Sequence, residues 1–488
     1  MHFLHLLTSI ILFYLIQKTT QEKLVFVMTH FRHGARAPNS IDENSLDKVH
    51  ETWTTPGELT AVGMRMQYLL GLRNRKRYID DYKLLSNRFD PHEMLVYSTN
   101  FNRTLMSIYS QLQGLYPHKP EVGFSLNEEQ EISAIPQVNI NKSYIKDLVD
   151  IMNSSALPDF MTVIPVRMIS ENDKKISVRC SGTSNNTKNT SMESIIAVKY
   201  YFNQKYKKYL NEFYNESTTY DFDFLKSFCD AFVADYTDRR NITGLKNTGV
   251  NFEELAESCY EVLKINFRDY SLNAGQNHLD IIESSKIMRE MIRLMQQRVD
   301  DDINNVTEID YDDFSRPKMM MISAHDTTVS CHQITIIKCF NLDLDTFQLA
   351  KFTAQMAFEV VRKDDNETDL NNLSYKDYTV NYYFNDDNIL SVSFEEFKEK
   401  MLNYLWTEEE VDSYCSGNSS NKNETDDNNN DNNENNNVLV YGIVICALSV
   451  LVVVCIVINI VLVVLFKRGK NGGSSKAVSL VGVSKSDA

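Results

Sequence analysis

Basic residues are scarce in this 488-residue sequence, which has 50 Lys and Arg against 66 Asp and Glu. The formal net charge of −16 gives no support to a nucleic-acid partner, because such proteins carry basic surfaces. A phosphate ester would also meet a mild long-range repulsion. Any anion site in this chain must therefore be a local cluster of arginine and histidine.

Several common signatures are absent as well. The sequence contains no phosphate-binding P-loop, no serine-centred nucleophile elbow and no residue spacing typical of a metal cluster. No internal repeat is visible. We therefore expect neither a metal ion nor another cofactor.

Two long apolar runs lie near the ends of the chain. Residues 1–20 have the size and shape of a signal peptide, with a buried core helix as the alternative. Residues 438–466 exceed the ~20 residues that span a bilayer. Basic residues follow at 467–470, whereas none lies between Lys422 and the span, so the C-terminal tail should face the cytosol. The sequence predicts a single-pass type I membrane protein at the cell surface or in acidic vesicles.

The exported part should be oxidised and glycosylated. Six cysteines allow up to three disulfide bonds. Cys331 and Cys339, if on one helix, would lie about 12 Å apart at ~1.5 Å per residue, too far to bridge, so at least one should be free. The six cysteines are Cys180, Cys229, Cys259, Cys331, Cys339 and Cys415. The glycosylation sequons include Asn141, Asn215, Asn241, Asn305 and Asn366.

The folded part should be residues 21–415. Residues 416–437 are a low-complexity, Asn-rich stretch that cannot bury a core, which predicts a disordered stalk. Residues 467–488 are expected to form a short cytoplasmic tail.

Strand and helix patterns alternate within this part. Apolar runs at 24–28, 94–97 and 319–322 are typical of buried strands. Residues 59–70 and 281–295 have apolar side chains at helical spacing. The alternation predicts an α/β fold. The aromatic, Asn-rich stretch from about 120 to 275 is predicted to form an inserted, mostly helical cap.

The chemistry-bearing residues directly follow the first strand. Arg32, His33, Gly34, Arg36 and Pro38 lie within seven positions. Two arginines so close would repel each other unless an anion sits among them, and the guanidinium fork matches phosphate oxygens. The glycine lets the backbone approach a ligand closely. This arrangement predicts a phosphate site beyond the end of a strand.

The Arg-His-Gly-x-Arg-x-Pro run resembles the signature of the histidine acid phosphatases. The resemblance continues, in family order, in four further segments. Residues 53–64 and 75–78 resemble the prostatic and lysosomal members, residues 97–107 their second arginine motif, and residues 323–328 their C-terminal His-Asp motif.

The resemblance implies a phosphatase of monoesters working through a phosphohistidine. His33 would attack phosphorus, and Asp326 would protonate the leaving oxygen and later activate the attacking water. A neighbouring phosphate favours the protonated carboxyl group at acidic pH. The implied phosphate-binding residues are Arg32, Arg36, Arg103 and His325.

The same resemblance implies a homodimer and a long-range Cys180–Cys415 pair. The cap matches the family only weakly, so substrate preference cannot be carried over. Asn102 forms a sequon inside the second arginine motif, and we expect it to stay unglycosylated if Arg103 faces substrate.

Two alternative functions remain. A phytase-like inositol polyphosphate phosphatase would need a basic pocket, which the acidic, glycan-rich cap does not favour. A catalytically silent receptor or adhesion protein could keep the fold, but loss of His33 or Asp326 would be expected in that case.

Overall fold

A computed structural model describes residues 21–39, 53, 55–134, 152, 154–169, 193–240, 242–273, 279–306, 313–364 and 372–416. Within these residues seven strands form one mixed sheet with the order β3-β2-β4-β1-β5-β6-β7. The first four are parallel to one another and the last three extend the sheet in antiparallel fashion. The strands are β1 (Gln21–Arg32), β2 (Met94–Thr99), β3 (Arg167–Ile169), β4 (Met319–Ala324), β5 (Gln355–Asp364), β6 (Tyr378–Phe384) and β7 (Asp387–Ser393).

Helices lie on both sides of this sheet, which confirms the predicted α/β class. A π-helix, Lys76–Asp81, directly continues the first helix. The described helices are α1 (Ala61–Arg75), α2 (Asn102–Leu115), α3 (Glu128–Ser133), α4 (Glu193–Tyr214), α5 (Phe222–Thr237), α6 (Thr243–Asn247), α7 (Phe252–Asn273), α8 (Leu279–Ile303), α9 (Asp326–Cys339), α10 (Phe394–Tyr404) and α11 (Glu408–Cys415).

The central strand β1 explains why its apolar run is continuous. Alternate side chains of a strand point to opposite faces, and both faces of this one are covered. Phe26 and Met28 belong to the core formed with α8, α9 and α10. Val27 and Phe31 belong to the core formed with α2 and the π-helix. The three predicted strands are therefore confirmed as β1, β2 and β4.

Two residues of the 75–78 segment, Arg77 and Tyr78, bind one buried carboxylate of the sheet. Glu359 of β5 is fully buried, and Arg77 binds it through two nitrogens, each 2.6 Å from a carboxylate oxygen. The Tyr78 hydroxyl donates a third hydrogen bond at 2.9 Å. The turn after α1 thus provides the charge and the donors that allow a carboxylate in the sheet.

Replacing Arg77 with methionine should lower the free energy of unfolding by about 3 kcal/mol, because it leaves a buried charge without its partner. Chemical denaturation of the variant measures this loss. The neighbouring Lys76→Met change removes only an exposed ion pair with Asp81 and is the matched control, which should unfold like the wild type. Equal stabilities of both variants and wild type would contradict this account.

The predicted cap contains helices with a core of their own. Side chains of α4, α5 and α7 pack into a separate hydrophobic cluster, and the Cys229–Cys259 disulfide joins α5 to α7. Part of the 120–275 stretch does not belong to this cluster, because Arg167–Ile169 forms the edge strand β3 beside β2. A strand of three residues is too short to leave a readable pattern.

Some predictions fall outside the described residues. These are the signal peptide at 1–20, the stalk beyond Ser416, the membrane span at 438–466 and the tail at 467–488. Among the described residues no helix is long and apolar enough to cross a bilayer.

The cysteine and sequon predictions are tested in part. Cys331 and Cys339 are both free, as the helical distance predicted for at least one of them. Cys415 is disulfide-bonded, but its expected partner Cys180 lies outside the described residues. Of the sequon asparagines, Asn215 and Asn305 are exposed.

Candidate active site

The carboxyl ends of the parallel strands β1 and β4 lie side by side and bring two distant motifs together. The His33 backbone N–H donates to the Ala324 carbonyl at 3.0 Å, and Ala324 directly precedes the His-Asp pair. The rings of His33 and His325 are 5.7 Å apart between centroids. All six residues predicted from the sequence lie in this region, although their roles stay predictions.

The His33 ring is held in one tautomer. Its Nδ1 lies 2.8 Å from the Gly34 carbonyl oxygen, and because a carbonyl can only accept, Nδ1 carries the hydrogen. In the neutral ring Nε2 therefore bears the lone pair. Burial, followed by repulsion from Arg32 and Arg36, holds the pKa of His33 well below its usual value. The ring is thus neutral, with an unprotonated Nε2, in mildly acidic solution as well.

The Gly34 position leaves no room for a side chain. A Cβ there would lie 2.4 Å from the Gly63 carbonyl oxygen, and one on Gly63 would lie 2.1 Å from the Ala35 carbonyl oxygen. The loop after β1 therefore packs backbone to backbone against the start of α1. The Gly34 N–H also donates to the Ser107 hydroxyl at 3.0 Å, which ties the loop to α2.

Arg32 connects the phosphate motif to the proposed acid. Its Nη2 is 2.6 Å from Asp326 Oδ2, and its Nη1 donates to the Ala350 carbonyl at 2.8 Å. The guanidinium lies 4.4 Å from the centroid of the Phe352 ring, a cation–π contact. Asp326 is the first residue of α9, and its Oδ1 accepts from the Thr327 N–H at 2.9 Å.

Arg36 is paired with a residue of the cap. Its Nη2 donates to Asp230 Oδ1 at 2.8 Å and its Nη1 to Oδ2 at 3.3 Å. The same Nη1 donates to the Ala37 carbonyl at 2.9 Å. The Arg36 side chain is only 2% exposed. A cap carboxylate therefore occupies the outer fork of an arginine predicted to bind phosphate.

His325 is fixed by a chain of hydroxyl groups. Thr104 donates to backbone carbonyls, and the Thr99 hydroxyl donates to Thr104 Oγ1 at 2.9 Å. Thr99 Oγ1 can then only accept from His325, whose Nε2 is 3.0 Å away. The hydrogen is thus on Nε2, and the lone pair of Nδ1 faces Arg103 Nη2 at 3.4 Å. Burial, and then the charge of Arg103, lower the pKa of His325 to about 4.

The three arginines of the site each have a hydrogen-bond donor without a partner in the described part of the chain. The buried Nε of each has no hydrogen-bond partner among the described residues; they are Arg32, Arg36 and Arg103. Buried guanidinium donors are costly to leave unpaired, so sites of this kind are completed by an oxyanion. Asp326 pairs with Arg32, Asp230 pairs with Arg36, and Glu58 attracts Arg103. The Nε donors that these contacts leave without a partner in the described part of the chain favour an anionic ligand.

Several residues of the site were missed from the sequence. Asp230 lies on an ordinary amphipathic helix, and Phe352 and Ala350 lie in a loop without a motif. Thr353 has a φ of +67°, which is unusual for a β-branched residue, and its N–H donates to the His33 carbonyl at 3.2 Å. Such strain at a site is maintained by its surroundings, but it leaves no signal in one sequence.

A second histidine pair lies close to this site. The Nδ1 atoms of His30 and His332 are 2.8 Å apart, and both rings are buried. Burial lowers the pKa of both, to about 4 for His332. One Nδ1 must carry a hydrogen and the other a lone pair, so at least one ring of the pair is neutral. In the part of the chain that is described, no group of three or more His, Cys, Asp or Glu could hold a metal ion.

Comparison with known proteins gives a consistent picture. Residues 23–385 match the sequence profile of the histidine phosphatase superfamily, branch 2. Human prostatic acid phosphatase is 36% identical over 110 residues, 22% of this chain and 27% of that protein. Lysosomal acid phosphatase of Xenopus laevis is 37% identical over 114 residues, 23% of this chain and 25% of that protein. Each alignment thus spans about a quarter of the curated relative.

Solved structures resemble the chain over a longer stretch but at low identity. The phytase of Klebsiella sp. ASR1 aligns with 79% of this chain and 97% of its own, with a TM-score of 0.46 and 10% sequence identity.

Proposed function

Because the chain belongs to branch 2 of the histidine phosphatase superfamily, we propose that it hydrolyses phosphate monoesters through a phosphohistidine intermediate. The observation that carries the proposal is the neutral, buried His33, which lies in one cluster with three arginines whose Nε donors have no partner among the described residues. An imidazole nitrogen of this kind is a nucleophile for phosphorus.

In the first step Nε2 of His33 attacks phosphorus as the bond to the leaving oxygen breaks. Arg32, Arg36 and Arg103 stabilise the charge on the three equatorial oxygens. Asp326 donates its proton to the leaving oxygen, which departs as an alcohol. The contact between Arg32 and Asp326 places this carboxyl group beside the phosphate site.

In the second step Asp326, now a carboxylate, takes a proton from the water that attacks the phosphohistidine. Inorganic phosphate leaves and His33 regains its lone pair. His325 can donate to phosphate from Nδ1 only after gaining a proton, because Nε2–H already binds Thr99. A bound anion would offset the repulsion from Arg103 that lowers the pKa of His325, and so would favour that proton.

We place the activity on the exported side of a membrane. The signal-peptide and membrane-span patterns at the two ends of the chain support a single-pass type I topology, and Cys229–Cys259 fits an oxidising compartment. Immunodetection on intact cells of a tag inserted directly after the predicted signal peptide, compared with a C-terminal tag, tests this topology.

The activity is tested with p-nitrophenyl phosphate and the full-length protein between about pH 3 and pH 8, in the presence of EDTA. We expect metal-independent hydrolysis that peaks at acidic pH, because Asp326 must be protonated while His33 stays neutral. The matched control is bis(p-nitrophenyl) phosphate, a diester that offers one fewer charged oxygen to the arginines and should be hydrolysed far more slowly. A folded, disulfide-intact protein without activity would instead favour the receptor alternative.

A further inference from the structure

We propose that Asp230 is a built-in competitor of phosphate: its carboxylate occupies Arg36 in the free protein and weakens the binding of phosphate anions. This inference rests on the proposed function, because it takes Arg36 as a phosphate ligand. Its first support is geometric. Asp230 lies on the cap helix α5 and binds both terminal nitrogens of Arg36, while its Oδ2 also accepts from the Asn39 N–H at 3.4 Å.

A carboxylate and a phosphate present similar oxygen pairs to a guanidinium, so they compete for the same fork. Asp230 therefore satisfies the donors that a phosphate would use. The buried Nε of Arg36 has no partner in the part of the chain that the structure describes, so the carboxylate does not complete the site. A substrate phosphate must displace Asp230 or bind against its charge.

Arg36 does not depend on Asp230 for its position. Its Nη1 is held by the Ala37 carbonyl, and its backbone forms a bridge with Leu59. The Ala37 N–H donates to the Glu58 carbonyl at 2.9 Å. Removal of the Asp230 charge should therefore leave the arginine in place and open to an anion.

The charges around Asp230 determine how the affinity for phosphate should change with pH. Arg36 and Arg32 attract its carboxylate from the N-terminal segment, and Asp326 of α9 adds a second negative charge beside these arginines. Arg103 of α2 adds a third positive charge, which Glu58 in turn attracts. On its own helix Asp235 accepts from Trp53 Nε1. Burial opposes ionisation of Asp230, but attraction to Arg36 outweighs it and lowers the pKa. A bound phosphate would weaken this attraction, so binding favours proton uptake by Asp230 and loses affinity as pH rises.

The test uses Asp230→Asn, which keeps the size and one acceptor oxygen but removes the charge. Titration calorimetry of the full-length protein with inorganic phosphate at about pH 6.5 should give a Kd about tenfold lower than in wild type. The ratio of the wild-type Kd to that of the variant should grow from about pH 4 to pH 7, and taking this ratio cancels the titration of phosphate itself.

Two further variants separate competition from a structural role. Asp230→Glu restores the charge and should bind phosphate about as weakly as wild type. Asp223→Asn removes an equal charge from the same helix at a side chain that is 86% exposed, and should leave the Kd unchanged. Equal or weaker phosphate binding by Asp230→Asn would overturn the inference and make Asp230 a support for Arg36.

The two proposals can fail separately. Hydrolysis by the wild type, with no gain of phosphate affinity in Asp230→Asn, overturns only the role of Asp230. Tighter phosphate binding by Asp230→Asn, in a protein that hydrolyses no monoester, supports the competition and overturns only the catalytic proposal.

Discussion

Replacing His33 with alanine is expected to lower the turnover of every phosphate monoester by at least about 10⁴-fold, because the variant has no atom to receive the phosphoryl group. The measurement is kcat for an aryl and an alkyl phosphate at the acidic optimum. The variant should still bind inorganic phosphate, since the three arginines remain. Because the phosphorus–nitrogen bond is labile in acid, the reaction is quenched with alkali; wild-type enzyme should then carry phosphate on histidine, and the variant should carry none.

A second substitution at His33 separates loss of the nucleophile from loss of folding. Alanine leaves the buried Gly34 carbonyl without the donor that His33 Nδ1 provides. Asparagine places an amide N–H near that position, so His33→Asn keeps the donor without the nucleophile. His118→Ala, at an exposed histidine, is the matched control and should be fully active. Normal turnover by His33→Asn would exclude the phosphohistidine mechanism.

Replacing Asp326 with asparagine should separate substrates by their leaving groups. An alkoxide departs poorly without a proton, whereas p-nitrophenolate needs little help. We expect kcat/KM to fall about 10³-fold for an alkyl phosphate such as glycerol phosphate and about tenfold or less for p-nitrophenyl phosphate. The value of kcat/KM for each substrate reports only the steps up to transfer of the phosphoryl group to His33.

The second step gives an independent readout for the same variant. Without the carboxylate, the water that attacks phosphohistidine lacks its base, so p-nitrophenyl phosphate should release a burst of one equivalent of p-nitrophenol. Loss of the contact to Arg32 affects both substrates in the same way and therefore cannot produce the difference. Equal decreases in kcat/KM for the two substrates would rule out the role of Asp326 as general acid.

The sequence predicts the parallel half of the sheet far better than the antiparallel half. Strands β1, β2 and β4 are buried on both faces, so their apolar runs are continuous and readable. Strand β6 carries the polar residues Thr379 and Asn381 among its buried and half-buried positions, and β7 is exposed or half-buried throughout. The pattern of these strands does not stand out from that of a loop, and their pairing is decided by the sheet that they extend.

The candidate site divides in the same way. Arg32, His33, Arg103 and Asp326 are readable because they lie at or shortly after the ends of strands, in compact motifs that resemble one family. Asp230 comes from a helix about 200 residues further along the chain than Arg36, and its role depends on how the cap meets the core. One aspartate on an amphipathic helix is most simply interpreted as a solvated side chain. Only the contact with Arg36 in the folded protein indicates a role in the site.

The position of β1 between β4 and β5 has a consequence for how the chain is made. Among the described residues the first strand pairs with residues 319–324 and 355–364, so nearly 300 residues must leave the ribosome before it finds one of these neighbours. At about 5 to 20 residues per second this takes roughly 15 to 60 s. During that time an apolar strand has no partner in the sheet and can aggregate. Biogenesis of this protein should therefore depend on chaperones that hold its first strand until β4 and β5 have been synthesised.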